Sequence, residues 1–456
     1  MADGMNARSL YHLSFTRYCD KSKVELAAST RDITAQDSAS VYDGLHGYFE
    51  TAQWTADGTA ILTSTSSNLI SGYIVPEDLL SPTATRPIEL VPQATIQLPE
   101  PSNILAGAPY FRLAEPWTQQ LLVSSRDHPI QLFYLASSQA SHQKPASCYP
   151  LTKARSETFL SATSLVWPHP GSHFIAGSRN MLAKFDVSRT GEEPLLRIKT
   201  IPSERHLSKG GGVGMRGTVS SLSAQPPDIN NSSLVAAGTW TRWIGLYDFA
   251  QAGACVATWS IAHAATGEAQ IGGDGITQTM WSPCGRYLLL GERKSTGLLV
   301  YDVRVTGKLL GWLSDREALG NQRINCDVFP SQDGNEGGFE VWSGTMHGAV
   351  KVWEQVGNHE GAHTPSWSWS AARQSTVGST CIHQSGTVVA TCSGSWEFPD
   401  DNESLGSNSA DSDSEGPGTD ISWMRRRNRE SNLKIWSIPS NGHETEILEE
   451  NADDTG

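Results

Sequence analysis

Hydrophobic and polar positions along the chain repeat one figure seven times: an apolar strand, a turn, a second strand, then a short strand that closes on an aromatic or aromatic–acid pair. The closing pairs are Tyr73-Ile74, Phe133-Tyr134, Phe185-Asp186, Tyr247-Asp248, Tyr301-Asp302, Trp353-Glu354 and Trp436-Ser437, spaced 60, 52, 62, 54, 52 and 83 residues apart. Three copies share a stricter core, a Trp followed four residues later by Gly: Trp54 to Gly58, Trp167 to Gly171 and Trp281 to Gly285. Ile382 to Gly386 keeps that spacing with an aliphatic residue. A long period of short strands with Trp-Asp-like endings predicts blades of four strands set around an axis. One blade cannot bury both of its faces and needs neighbours. The expected fold is all-β, a seven-bladed WD-repeat-like β-propeller with a disordered acidic insertion in blade 7 and an acidic tail.

The pattern places blade 1 at about 48–98, followed by blades at about 109–152, 159–201, 217–259, 275–313, 323–371 and 377–437. In such propellers a sequence repeat ends on the third strand of a blade, so the seventh blade lacks its outer strand unless the N-terminus supplies it. Residues 1–46 are polar and weakly patterned, and a segment within 8–18 (Leu10, Leu13, Phe15) is the expected closing strand. The propeller itself is expected over 47–437, interrupted at 397–430 by low-complexity sequence that is acidic first and then basic (Arg425, Arg426, Arg427, Arg429), with an acidic tail at 438–456. Composition predicts that most of the insertion is disordered.

Length alone, 456 residues, suggests two to four domains, but a propeller is one closed architecture whatever its blade count. The net charge of −14 is unevenly spread. Eight acids at 397–420 and six at 437–456, with no Lys or Arg in either stretch, account for it fully, because the remaining 34 acids balance 34 bases. A neutral body removes the bulk-charge argument against an anionic partner. The 15 Trp are numerous, and Trp54, Trp167, Trp281, Trp353 and Trp436 fall at repeat positions where they are expected to pack between blades. Seven scattered cysteines with no C-x-x-C fit buried free thiols in a reducing compartment. Met1–Leu10 lacks the apolar stretch of a signal peptide, and no run reaches a membrane-span length. The expectation is an intracellular protein with no membrane partner.

Candidate chemistry collects on one face. The turns between second and third strands and the links between blades share that face, and four successive turns carry bases: Arg126-Asp127-His128, Arg179-Asn180, Trp240-Thr241-Arg242-Trp243 and Glu292-Arg293-Lys294. The links add Arg205, Lys209 and Arg216, then Asn321-Gln322-Arg323. Bases for phosphates, with rings and guanidinium planes for unstacked nucleobases, are what single-stranded RNA recognition uses. The bland alternative is that these are turn residues with solvated or locally paired charges. The Gly-rich stretch 209–214 lacks the order of a phosphate-binding loop, since Lys209 precedes the glycines and a strand follows. Cys381, His383 and Cys392 lack a fourth ligand at zinc spacing. No nucleophile–base order or carboxylate pair stands out. The chain is read as non-enzymatic, with no catalytic residues, metal or cofactor.

Several stretches together resemble the telomerase Cajal body protein family, WD-repeat proteins that bind small Cajal-body RNAs. The matching residues are Asp127-His128-Pro129-Ile130, Gly275-Ile276-Thr277, Trp281-Ser282-Pro283-x-Gly285, Gly291-x-Arg293-Lys294 and Tyr301-Asp302-x-Arg304. They continue with Asn321-Gln322-Arg323-Ile324, Ser343-Gly344, Gly348-Ala349-Val350-x-Val352-Trp353, Ala390-Thr391-x-Ser393-Gly394, and Phe398-Pro399 running into the acidic stretch. The resemblance covers about 47–436 and is strongest from 274 to 400; blades 3 and 4 match poorly, and the long N-terminal region of animal members is reduced to about 46 residues. It implies a nuclear scaffold, monomeric within a larger complex, that binds H/ACA-type small nuclear or Cajal-body RNA, telomerase RNA included in animals, and that meets ribonucleoprotein or splicing proteins. Fungal-type relatives point to pre-mRNA splicing, so a protein-only adaptor is the alternative. The expected RNA-contact set is Arg126, His128, Arg179, Trp240, Arg242, Trp243, Arg293, Lys294, Asn321, Gln322 and Arg323. Asp302 and Arg304, at a strand end, are expected to form a structural ion pair.

Overall fold

A computed structural model describes residues 24–33, 47–135, 144–153, 156–201, 215–227, 234–331, 338–395 and 430–438. The acidic insertion and the tail fall almost wholly outside them. The described chain forms seven sheets set in a ring, antiparallel apart from one added edge strand in each of two. Their innermost strands are Phe49–Trp54, Ser102–Gly107, Ser164–Val166, Val219–Ala224, Ile276–Trp281, Cys326–Pro330 and Val377–Ile382. Each sheet runs outward in chain order, except that the outer strand of blade 7 comes from the N-terminal side. The architecture is the seven-bladed propeller expected from the repeat.

The Trp-x3-Gly core has a plain geometric origin. Gly58, Gly171, Gly285 and Gly386 sit in the turn from first to second strand with φ of +71, +95, +68 and +72°. In each, the glycine N–H donates to the carbonyl three residues earlier (Thr55, Pro168, Ser282, His383) at 2.9 Å. Only glycine adopts that backbone without a Cβ penalty. The Trp that opens the motif ties blades together in two cases: Trp54 Nε1 donates to Cys381 O of blade 7 (3.0 Å) and Trp281 Nε1 to Ser223 O of blade 4 (3.1 Å). Trp167 instead closes its own turn on Gly171 O (2.8 Å).

Between blades the core is layered. Tyr149, Phe174 and Phe185 form one aromatic cluster, with Phe174 and Phe185 stacked at 4.9 Å, and Tyr287 stacks on Phe339 at 5.8 Å beside fully buried Trp353. Around the axis, side chains of inner strands grip the neighbouring backbone in both directions. Gln278 accepts from Cys326 N–H and donates to Cys326 O, each at 2.8 Å, and Ser379 does the same for Ala52 at 3.2 and 3.3 Å. The ring of inner strands leaves an axial channel of about 750 Å³.

Closure differs from the sequence expectation in position. The strand that completes blade 7 is Glu25–Ser29, antiparallel to Leu433–Ser437, and residues 8–18 lie outside the described residues. Its signal was weak because an outer strand needs only one strongly apolar face, here supplied by small Ala27 and Ala28, both fully buried. Two further strands were not foreseen at all. Ile88–Glu89, in the Pro-rich link of blade 1, adds in parallel to Ala28–Ser29, and Gly361–His363 of blade 6 adds in parallel to Gly311–Leu313 of blade 5. Each covers the outer edge of a neighbouring blade, which removes an exposed row of unpaired backbone groups.

Candidate nucleic-acid interface

The antiparallel order of strands puts second-to-third turns and blade-to-blade links at one end of the ring, and hydrogen bonds join them there. Asn180 N–H donates to Gly217 O (2.8 Å), Asp274 N–H to Arg293 O (3.0 Å) and Lys294 N–H to Gly320 O (3.3 Å). The blade 3 and blade 5 turns thus rest on the links that lead into the next blade, and the blade 5 turn also on the link that enters its own blade.

The most developed part of this face lies where blades 4 and 5 meet. Trp240 is 44 % exposed in the blade 4 turn, and the Arg293 guanidinium lies 5.7 Å from its ring centroid. Asp274, in the 4–5 link, faces both bases of the blade 5 turn: Arg293 Nη2 at 3.5 Å and Lys294 Nζ at 3.3 Å, with Arg293 Nε on the Asp274 carbonyl. Gly275 lets the link press against the turn, because a Cβ there would lie 2.7 Å from Trp240 O.

Beneath this surface is a buried ion pair. Glu292, 2 % exposed, accepts from Arg242 Nε (2.8 Å) and Nη2 (3.0 Å) and from Gly275 N–H (3.2 Å); Arg242 Nη2 also donates to Gly272 O (3.1 Å). Burial pushes the Glu292 carboxyl above its usual range, and the Arg242 guanidinium pulls it back. Arg316, fully buried, holds the layer below by donating to Ser343 Oγ (3.1 Å), Glu292 O (3.4 Å) and Ile324 O. Sequence reading missed Arg316, since nothing in a link marks one arginine as buried.

Backbone conformation separates these turns. Asn68, Asp127, Asn180, Arg242 and Lys294 all adopt positive φ (52–66°) in the second-to-third turns. Asn and Asp tolerate that region, whereas a long side chain has no local hydrogen bond to compensate for it. Arg242 and Lys294 therefore occupy strained positions that suit them poorly, and the ion pair with Glu292 accounts for Arg242. Among the described residues the Lys294 side chain has only exposed Asp274. Replacing Lys294 with Asn is expected to leave thermal stability unchanged or slightly higher, as read by melting. A clear loss of stability would assign Lys294 a structural role.

The remaining expected contacts divide clearly. Arg126 and Arg179 are exposed and make no ion pair among the described residues; His128 Nδ1 lies 2.7 Å from Arg126 O. Asn321 is exposed, whereas Gln322 Nε2 donates to Gly394 O (2.8 Å) and Arg323 lines the axial channel. Arg242 is turned inward onto Glu292, and Trp243 packs half-buried against the cluster around Met215 and Val219, so neither is offered to solvent as expected. Arg216 is exposed beside Thr241, whose Oγ1 contacts its carbonyl. Arg205, Lys209 and the glycines up to 214 lie outside the described residues. Away from this face, Asp302 and Arg304 pair at 2.6 Å, and Cys381 and Cys392 sit in the hydrophobic core.

No family model matches the chain. It is 28 % identical to bovine telomerase Cajal body protein 1 over 417 residues, covering 90 % of this chain and 68 % of that protein. The human protein of the same name is also 28 % identical, over 85 % of this chain and 63 % of its own length. The chain is a homologue of the telomerase Cajal body proteins. It thus spans about two thirds of these animal relatives. Fungal relatives include the guanine nucleotide-binding protein negative regulator 1 of Schizosaccharomyces pombe, 25 % identical over 69 % of this chain and 73 % of its own, and protein SWT21 of Vanderwaltozyma polyspora, 25 % identical over 66 % of each. Gly275 and Arg293, two of the residues that carry the family resemblance in the sequence, lie against Trp240, and Lys294, another, shares Asp274 with Arg293.

Proposed function

We propose that this propeller is a non-enzymatic nuclear scaffold that binds an H/ACA-type small nuclear or Cajal-body RNA and helps assemble or localise its ribonucleoprotein. The observation that carries this reading is the solvent-exposed Trp240 ring with the Arg293 guanidinium over it and Lys294 alongside. An aromatic ring and a guanidinium plane can sandwich or extend a stack of unpaired bases, and two adjacent cations can take the flanking phosphates. Arg126, Arg179 and Arg216 extend the same face with exposed bases that can follow an RNA backbone. The names of the animal relatives support a ribonucleoprotein setting, and the neutral body leaves room for an anionic partner.

Crosslinking in cells, followed by purification of the tagged protein and sequencing of attached RNA, tests this. A few H/ACA-type small RNAs with crosslinks in one terminal loop are expected. A profile equal to that of an untagged control, with splicing proteins co-purifying, would make this face a solvated one and the protein a protein-only adaptor.

A further inference from the structure

The axial channel carries two charges that have no direct partner among the described residues. Glu50, on the inner strand of blade 1, and Arg323, at the entry to the inner strand of blade 6, both line it. Among the described residues neither side chain makes a hydrogen bond or comes within ion-pairing distance of the other. Burial works against both charges, pushing the Glu50 carboxyl up and the Arg323 guanidinium down, and each only partly offsets the other across the gap. Gly378 of blade 7 packs against the backbones that carry them: a Cβ there would lie 3.1 Å from Gln322 Nε2, 3.5 Å from the Glu50 carbonyl and 3.8 Å from the Arg323 carbonyl.

This contrasts with the rest of the channel wall. Gln278 and Ser379 are committed to neighbouring backbones, and the other acid, Asp327, accepts from Val328 N–H (2.8 Å) and Ile382 N–H (2.9 Å). Glu50 and Arg323 are half-buried, and partly desolvated charges without direct partners concentrate at functional sites. The link that carries Arg323 opens on the same face as Trp240, and Tyr48 lines the channel near Glu50, its phenol pKa raised first by burial and then by the Glu50 charge.

We infer that the mouth of the channel is a pocket for one unstacked guanine, read by Arg323 and Glu50 together. A phosphate would satisfy Arg323 but be repelled by Glu50, and a lysine or arginine side chain would meet the reverse conflict. The ligand must offer acceptors on one side and donors on the other. Guanine does so with O6 and N7, which a guanidinium fork takes in pairs, and with N1–H and the N2 amino group, which a carboxylate accepts. Adenine carries an amino donor where guanine has O6, and the pyrimidines have no N7. Reading base edges of a splayed nucleotide is a common route to sequence-specific RNA recognition.

The inference rests on the RNA reading above, and its test separates the two. The probes are octauridylate and the same oligonucleotide with one central guanosine, inosine or 7-deazaguanosine, bound to the full chain. Guanosine is expected to bind about tenfold tighter than uridine, with inosine and 7-deazaguanosine each losing most of that gain. Glu50→Ala is expected to erase the difference between guanosine and inosine, and Arg323→Met the difference between guanosine and 7-deazaguanosine. If either variant fails to fold, the four oligonucleotides on the unmodified protein decide alone. Equal binding of all four would overturn the guanine pocket and leave RNA binding standing. No binding to any of them, together with no RNA crosslinked in cells, would overturn both.

Discussion

Changing Arg293 and Lys294 together to Glu is expected to weaken RNA binding about a hundredfold and to flatten its salt dependence, with the propeller still folded. Two phosphate contacts are removed and two repulsive charges take their place. On a single strand each lost contact lowers the slope of log affinity against log salt by about 0.7, so a decrease of about 1.4 is expected. The Arg293 cation–π contact with Trp240 goes as well, worth about 0.5–1 kcal/mol at an exposed site. Neither side chain supports the core. Their ion pairs with Asp274 are exposed, and such pairs contribute little to stability. Circular dichroism and melting should therefore match the unaltered protein. The Trp240→Ala change should cost a further 1–3 kcal/mol or so of binding with little change in salt slope, because stacking releases no counterions. Undiminished RNA binding in the double Glu variant would remove blades 4 and 5 from the interface, and a shared loss of protein partners would favour the adaptor reading.

The second large effect concerns closure of the ring. Ala28→Asp is expected to destabilise the protein by about 3 kcal/mol, because it places an unpaired carboxyl at a fully buried position. Ala28 pairs with Ile435 on one side and with Ile88 on the other, so the change strikes both the closing strand and the parallel strand that covers it. The end of the strand is held by Thr30, whose N–H donates to Leu433 O (2.9 Å) and whose Oγ1 accepts from Leu433 N–H (3.1 Å). Urea unfolding should show a lower midpoint, and a control change at exposed Glu25, such as Glu25→Gln, should shift it by no more than about 0.5 kcal/mol. An unchanged midpoint for Ala28→Asp would mean that Glu25–Ser29 is not what closes blade 7.

The sequence by itself determined the ring. Its seven aromatic endings and the Trp-x3-Gly turn are local signals: a glycine at positive φ and an aromatic at a strand end can be read where they stand, because the backbone or the adjacent layer demands them. It also marked Arg293 and Lys294 as bases in a turn. What only the tertiary structure decided is which side of a residue faces solvent and which segment meets which. Trp240 and Trp243 are three residues apart in one turn, yet one is open and the other packs near Met215, since the pleat and the neighbouring blade choose between them. Arg242 reads like Arg293 but turns inward, because Glu292 of the next blade waits there. Glu50 and Arg323, 273 positions apart, face one channel because the ring brings blades 6, 7 and 1 together. Closure by Glu25–Ser29 likewise depends on a partner strand some 400 residues away, and a strand with one small, weakly apolar face gives no local sign of that pairing.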